Sequence, residues 1–412
     1  MKILIVNSSD IEGGAARAAY RLHEALLNQN IDSKMLVQSK SSDNFTVLDP
    51  AQKIIKGVNK LRPTLDSLPV KFYNNKTHTL FSPSWLGFSS VVERINAINP
   101  DVVHLHWVCG GMLRIEDIAK IRAPIVWSLH DMWPFTGGCH YDEGCGAYKI
   151  RCGCCKVLAS DKEADLSTRV FLRKQQALSS INNLTIVGLS HWLADCAKES
   201  HLFKNNKIVC LSNPIDTECF KPFCKEKSRQ LWGLPRDKKL ILFGAMGATS
   251  DPRKGFRELI NALHKLKDNT IEVVVFGSSK PENDQNIGFK THYLGCLQDD
   301  VSLVTLYNAV DVMVVPSLQE NLSNTIMESL ACATPVVGFS IGGNLDMIEH
   351  RSTGYLAKPF DTTDLARGIE WILNVKNYEE LCLAARKKVL CEFDSTVVGK
   401  QYIKLYERIL GV

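Results

Sequence analysis

A chain of 412 residues is longer than one ordinary hydrophobic core fills, so two domains of similar size are expected. Hydrophobic residues at 45% with 23% charged residues describe a soluble globular enzyme, and no solenoid-length repeat or low-complexity tract interrupts them. The net charge of +5 suits an anionic small substrate or a weak membrane-surface contact rather than a nucleic-acid partner.

The apolar run Ile3 to Val6 reads as a first buried strand. Polar Asn7 to Asp10 follow it, which makes it far too short for a signal peptide or a membrane span. A cytoplasmic location is therefore expected, and the 14 cysteines should be reduced thiols or metal ligands rather than a disulfide framework. Gly13-Gly14 turns the chain into a helix from about Arg17 to Leu27, the opening of a doubly wound unit without the G-x-G-x-x-G spacing. Residues 45–90 break the α/β pattern. There Lys53, Lys56, Lys60, Arg62, Lys71 and Lys76 alternate with Ile54, Ile55, Val58, Leu61, Leu65, Phe72, Tyr73, Phe81 and Trp85. Such a basic-aromatic insertion is either a surface excursion with its own small contacts or a seat for a membrane surface or a lipid-linked acceptor.

Strands resume at Val102 to His106 and at Ile125 to Leu129. The second delivers His130-Asp131 to its carboxyl end, where open α/β sheets place ligands; His104 and His106 read as sheet residues. Thr136 to Cys155 is rich in cysteine, and Cys139, Cys145, Cys152 and Cys155 are spaced C-x5-C-x6-C-x2-C. Such a set fits a structural zinc site, although its first pair is wider than usual, and free thiols or disulfides stay open as alternatives. Further strands are expected at 181–189 and 208–211, and Pro214, Pro222 and Pro235 mark 214–236 as a linker. A second unit starts with the strand Leu240 to Gly244, then Asp251-Pro252-Arg253-Lys254-Gly255 and a helix to about Leu266. Strands at 272–277 and 293–295 and a helix at 301–309 lead to the run from Pro316 to Glu349. Beyond it, helices are expected at 365–372, 378–390 and 397–410.

That run carries most of the chemistry. Pro316 ends an apolar strand; Glu320 and the small polar residues Asn321 to Asn324 then precede a helix through Ile326, Met327 and Leu330. Val336 to Phe339 reads as the next strand and Gly342-Gly343 as a turn. Glu320 stands at the helix mouth and Glu328 eight residues later, roughly two turns and about 12 Å along the axis, close to the span from sugar to ribose in a nucleotide-sugar. Helix-end N–H groups between the two carboxylates offer a seat for a diphosphate.

The run P-S-x-x-E-N-x-S-N-T-x-x-E-S-L-A-C-A-T-P-V-V resembles the E-x7-E signature of the retaining glycosyltransferases of family 4. The resemblance covers nearly the whole chain and is weakest at 40–100 and 136–160. It implies an α/β GT-B fold, two Rossmann-like doubly wound domains facing a central cleft. The first, 1–213, would lie on the acceptor side. The second, 237–392, would hold the donor, and residues 393–412 would return to the first. By this resemblance the enzyme is a retaining transferase that moves sugar from a UDP-, GDP- or ADP-sugar to a saccharide or lipid-linked acceptor. Bacterial cell-surface polysaccharide assembly, with a peripheral contact at the inner membrane, is the implied setting. Gly13 and Gly14 would bring backbone N–H groups to the donor phosphate, and His130 would face the donor sugar. Lys254 would neutralise the diphosphate, together with Asn321, Leu322, Ser323, Asn324 and Thr325 at the helix end. Glu320 would hold sugar hydroxyls and Glu328 the ribose. The arginine usual after the strand's glycine is absent, since Ala245-Met246 follow Gly244, and Arg253 is the candidate substitute. The Asn213-Pro214 step stands where the family usually has Asn-Gly. No catalytic cofactor is implied. The competing readings are an inactive sugar-binding partner and a nucleotide-sugar epimerase of the same fold.

Overall fold

The computed structural model describes residues 1–49, 53–87, 90–245, 247–278, 286–297 and 299–412, without the side chains of 53–56. It divides into two compact units, Met1–Asn213 with Val398–Val412, and Pro214–Val397. The strands of the first unit are β1 (Lys2–Ser9), β2 (Asp32–Ser39), β3 (Val47–Leu48), β4 (Val102–Leu105), β5 (Ile125–Leu129), β6 (Leu184–Gly188) and β7 (Lys207–Cys210). They form one parallel sheet in the order β3-β2-β1-β4-β5-β6-β7. Strands β4, β5 and β6 are buried along their whole length, as expected of parallel strands covered by helices on both faces. The order reverses between β1 and β4, which makes the carboxyl ends of those strands the crevice where such sheets receive ligands.

The second unit repeats the plan. Its strands are β8 (Lys239–Gly244), β9 (Ile271–Phe276), β10 (Thr291–Tyr293), β11 (Val312–Val315), β12 (Val336–Phe339) and β13 (Gly354–Ala357), in the order β10-β9-β8-β11-β12-β13. Here the switch lies between β8 and β11, which pair in parallel at Val312–Ile241 and Met313–Leu242.

Several expectations change. Residues 214–236 are not an open linker, because helix Lys225–Leu231 packs within the second unit. Arg229 is its anchor: buried, it donates to the Ala309 carbonyl and pairs with Asp311 at 2.8 Å, while Asp311 also holds Lys225 at 2.8 Å. The excursion 45–90 is docked by a helix, Lys53–Asp66. Arg62 Nε donates to the Gly111 carbonyl at 2.6 Å, and Asp66 accepts from the amides of Ser84, Trp85 and Leu86. Residues 50–52 and 88–89 of that excursion, and the side chains of Lys53, Ile54, Ile55 and Lys56, lie outside the described residues. The last helix, Ser395–Leu410, contributes Tyr402 and Tyr406 to the interior of the first unit.

His104 is fully buried, with Nδ1 on the Tyr406 hydroxyl at 2.7 Å and Nε2 on Ser128 Oγ at 2.8 Å. His23 is held similarly between Ser33 and Thr46, at 2.8 and 2.7 Å. Burial disfavours the imidazolium, lowering His23 to about 4 and His104 to about 3. The unfolded value is about 6.5, so between about pH 4 and 6.5 the unfolded chain binds more protons than the folded one. Stability must therefore rise with pH across that window and fall on acidification, by about 1.4 kcal/mol per pH unit for each such histidine. Urea unfolding midpoints should drop clearly from pH 6.5 to pH 5, and an unchanged midpoint would contradict the neutral, buried assignment.

Candidate active site

The second unit brings the acidic run and the lysine turn together at its switch point. Lys254 follows β8 and Glu320 follows β11, and Lys254 Nζ meets Glu320 Oε2 at 3.0 Å. The two loops approach closely. Gly255 has φ +74°, and a Cβ there would stand 1.9 Å from the Pro316 carbonyl oxygen. The Leu318 amide donates to the Arg253 carbonyl at 2.8 Å across the same contact. Only glycine fits both the left-handed backbone and the contact. Ser317 Oγ donates to Glu320 Oε2 at 3.3 Å, and the Gly343 amide to the Glu320 carbonyl at 3.3 Å, so the turn after β12 braces the acid from behind.

Helix Asn324–Ala331 begins with Ser323 at its N-cap, in extended conformation and without a capping side-chain hydrogen bond. Glu320 therefore lies in the preceding loop, and of the two acids only Glu328 is helical, which corrects the simple two-turn spacing. Lys254, Ser317, Glu320, Ser323 and Thr325 line a small cavity that opens between the ends of β8 and β11. Ser323 Oγ and Thr325 Oγ1 are 2.9 Å apart at its helix end. Glu328 is buried, 3% exposed, and accepts a hydrogen bond from the Tyr307 hydroxyl at 2.9 Å. Tyr307 comes from helix Asp300–Ala309, and nothing in the local pattern singled it out as the partner of that acid. Asn321 and Leu322 are buried in the connecting loop, and Asn324 is the first helical residue.

Arg253 is engaged differently from Lys254. Its guanidinium grips Asp251, with contacts of 3.2 and 2.7 Å, so its charge is matched by a neighbour two residues away. Met246, beside the place where the usual arginine is missing, lies outside the described residues.

In the first unit Gly13 has φ +98° and caps helix Gly14–Leu27, so a left-handed residue is needed where β1 gives way to the helix. Asp10, fully buried, accepts the amides of Ser41 and Ser42 at 2.9 Å each and braces that loop. His130 leaves the carboxyl end of β5 and meets His106 in an Nε2···Nδ1 hydrogen bond of 2.8 Å. His106 is thus more than a sheet residue; it stands one residue beyond β4 and its ring joins that of His130. Asp131 accepts from the Trp107 indole at 3.2 Å and the Trp133 amide at 2.8 Å, and pairs with His140 Nδ1 at 2.6 Å. Burial raises the Asp131 carboxyl, but His140, the Trp133 amide and His130 together outweigh it and the net shift is downward. Lys174 is fully buried over the Trp133 ring, 3.8 Å from its centroid, and donates to the carbonyls of Trp133 and Thr136. Its spacing on helix Leu166–Leu178 gave no sign of that role.

The cysteine loop lies directly after this cluster. Cys139, Cys152 and Cys155 are buried in the hydrophobic core, and Cys145 is exposed. Burial is the main cause that raises all four thiols, Cys152 to about 12 although Lys174 lies near it. Zinc needs thiolates converging on one point. Among the described residues no group of three or more His, Cys, Asp or Glu side chains is arranged to hold a metal ion. Three of the four thiols pack the loop into the hydrophobic core of the first unit.

Two larger hollows lie on the first unit, one beside Phe72, Tyr73 and Arg169, the other beside Trp85, Arg114 and Arg173. Arg114 and Arg173 are already paired with Glu116, at 2.7 and 2.6 Å. Among the described residues, the β8/β11 crevice is the better site, because it joins a lysine, a buried acid and a helix N-terminus at a switch point.

Comparison with known proteins bears on the family and the fold. Residues 12–219 match the family model described as Glycosyltransferase Family 4, and residues 237–375 match Glycosyl transferases group 1. An Escherichia coli protein provisionally named a colanic acid biosynthesis glycosyl transferase is 24% identical over 357 residues, 82% of each chain. The sucrose-phosphate synthase of Thermosynechococcus elongatus shares the fold with a TM-score of 0.71 at 17% identity, covering 100% of both chains. An Anabaena protein crystallised with UDP and glucose aligns with a TM-score of 0.64 at 16% identity, over 98% of this chain and 99% of that one. The fold they share is GT-B.

The Gly255 contact yields a prediction. Gly255→Ala should lose about 1–3 kcal/mol of stability by urea unfolding, because the new Cβ forces apart the two loops that carry Lys254 and Glu320. A variant as stable as the wild type would show that this approach is not rigid.

Proposed function

The chain belongs to glycosyltransferase family 4, and on that premise we propose that it transfers a sugar from a nucleoside-diphosphate sugar to a saccharide acceptor with retention of configuration. The observation that carries this reading is the Lys254–Glu320 pair at the switch point, with the buried Glu328 farther along the same segment. Lys254 takes the donor diphosphate, aided by the backbone N–H groups at the start of helix Asn324–Ala331. Glu320 is then released from Lys254 to hold sugar hydroxyls and to stabilise positive charge at the anomeric carbon. Glu328, its geometry set by Tyr307, takes the ribose hydroxyls. The bond from anomeric carbon to the diphosphate oxygen breaks as the acceptor hydroxyl attacks the same face, and the leaving phosphate accepts that hydroxyl's proton. Gly13, Gly14 and His130 stand at strand ends of the first unit, in the positions to which the family resemblance gives donor contacts.

Cell-surface polysaccharide assembly is the setting this reading favours, supported by the name of the Escherichia coli relative. A lipid-linked acceptor is in keeping with the exposed apolar residues of the docked excursion, among them Phe72 at 86% and Leu61 at 61% exposure. Among the described residues no helix is long and apolar enough to cross a membrane.

A thermal-shift panel of UDP-, GDP- and ADP-sugars tests the donor class. A true donor at 100 times its Kd should stabilise by about 2.7 kcal/mol, and no stabilisation by any of the three would remove the reading. With that donor, Glu328→Gln should weaken binding by roughly 1.5–3 kcal/mol, since a charged acceptor of ribose hydroxyls becomes neutral. Glu320→Gln should lower turnover more than donor affinity, and wild-type behaviour of both variants would displace the site. Transfer should also persist in a chelator of divalent ions, because Lys254 and the helix end already neutralise the diphosphate. Complete and reversible loss on removing magnesium or manganese would contradict that charge balance.

A further inference from the structure

We propose that His106 is a positioning residue for His130, donating from Nδ1–H to His130 Nε2 and so fixing His130 as the Nδ1–H tautomer in one ring orientation. The inference rests on the functional reading only in taking His130 as a site residue. Its physical basis is separate.

His106 has no freedom to do otherwise. Its amide donates to the Val6 carbonyl at 3.0 Å and its carbonyl accepts from the Trp127 indole at 3.1 Å, so β1 and β5 clamp its backbone. Its ring is 3% exposed and lies on His104, with centroids 4.3 Å apart. His104 is itself tied to Tyr406 and Ser128, so the last helix and β5 fix the bottom of the column. The His130 ring is next, with its centroid 5.1 Å from that of His106.

Two tautomer arrangements make the 2.8 Å contact between His106 Nδ1 and His130 Nε2. If His130 donated, the hydrogen of a neutral His106 would have to sit on Nε2. That atom is buried and has no hydrogen-bond partner among the described residues. A buried N–H without an acceptor is rarer and costlier than an unused lone pair, so the arrangement with His106 as donor is favoured. Burial holds both rings neutral, His130 at about 4. His130 then carries its single ring hydrogen on Nδ1, and its Nε2 lone pair is occupied. The hydrogen bond made by one ring nitrogen decides what the other can do.

The test labels the histidine rings with ¹⁵N and reads His130 by long-range ¹⁵N–¹H correlation in wild type, His106→Phe and His106→Asn. Phenylalanine keeps the stack without the donor, and the asparagine amide can donate in place of Nδ1–H. The wild type should show a protonated Nδ1 and an accepting Nε2 on His130. His106→Phe should mix the two tautomers, and His106→Asn should restore the wild-type pattern. Turnover with the donor found in the panel should fall about ten- to a hundredfold in His106→Phe, with a smaller change in donor KM, and recover largely in His106→Asn. A wild-type His130 protonated on Nε2 overturns the proposal, even if His106→Phe does not fold. Unchanged His130 signals and turnover in His106→Phe overturn it too. The ring signals require no donor, so expected signals without any sugar transfer would support the tautomer assignment while removing the functional reading.

Discussion

The approach of Gly255 to the Pro316 carbonyl is the constraint on which the second unit's chemistry depends. Two neighbouring parallel strands, β8 and β11, end at the same edge, and their loops must turn in opposite directions over one crevice. A left-handed glycine lets the first loop press against the second, so that Lys254 arrives within 3.0 Å of Glu320. A larger residue at 255 would separate the charges by the width of a side chain, and their pairing falls away with distance and with the entry of water. The cation and the acid are therefore placed by backbone packing before any ligand is present, the kind of preorganisation that electrostatic catalysis requires.

The first unit reaches a similar end by different means. There, side chains rather than loops are stacked: Tyr406, His104, His106 and His130 run from the last helix to the end of β5. Each buried imidazole makes at least one hydrogen bond to a neighbour on another element, and the column rests on the helix Ser395–Leu410. Beside it, Asp131 ties Trp107, Trp133 and His140 together, and Lys174 caps the same turn from below. Buried polar networks of this kind specify one arrangement because every alternative leaves a donor or acceptor unmet.

In the cysteine loop, spacing alone does not decide the role of the four thiols. Four cysteines within seventeen residues satisfy the count for a metal site, but coordination requires thiolates that converge. In the folded chain three of these side chains turn into an apolar core that favours the neutral thiol. The segment 214–236 shows the same contrast. Prolines at 214, 222 and 235 do punctuate the chain, yet the buried ion pair of Arg229 with Asp311, 82 residues away, fastens that segment to one unit.

Residues whose roles follow from short-range pattern were legible directly. Continuous apolar runs gave the strands β1, β5, β8, β11 and β12, and the Glu320–Glu328 run announced its family by local order alone. Strand β2 mixes polar with apolar residues and β13 is only four residues long, so neither carried enough periodicity to be seen. The partnerships could not be read at all. Tyr307 on Glu328, His106 on His130 and Gly255 on Pro316 join residues 21 to 61 positions apart, a separation at which linear spacing holds no information about distance. By itself the sequence determined the two doubly wound units and which residue types stand at their strand ends, because burial and turn chemistry act locally. Which of those residues touch was decided only by the tertiary structure, because contact depends on sheet order and on the closeness of backbones that the sheets bring together.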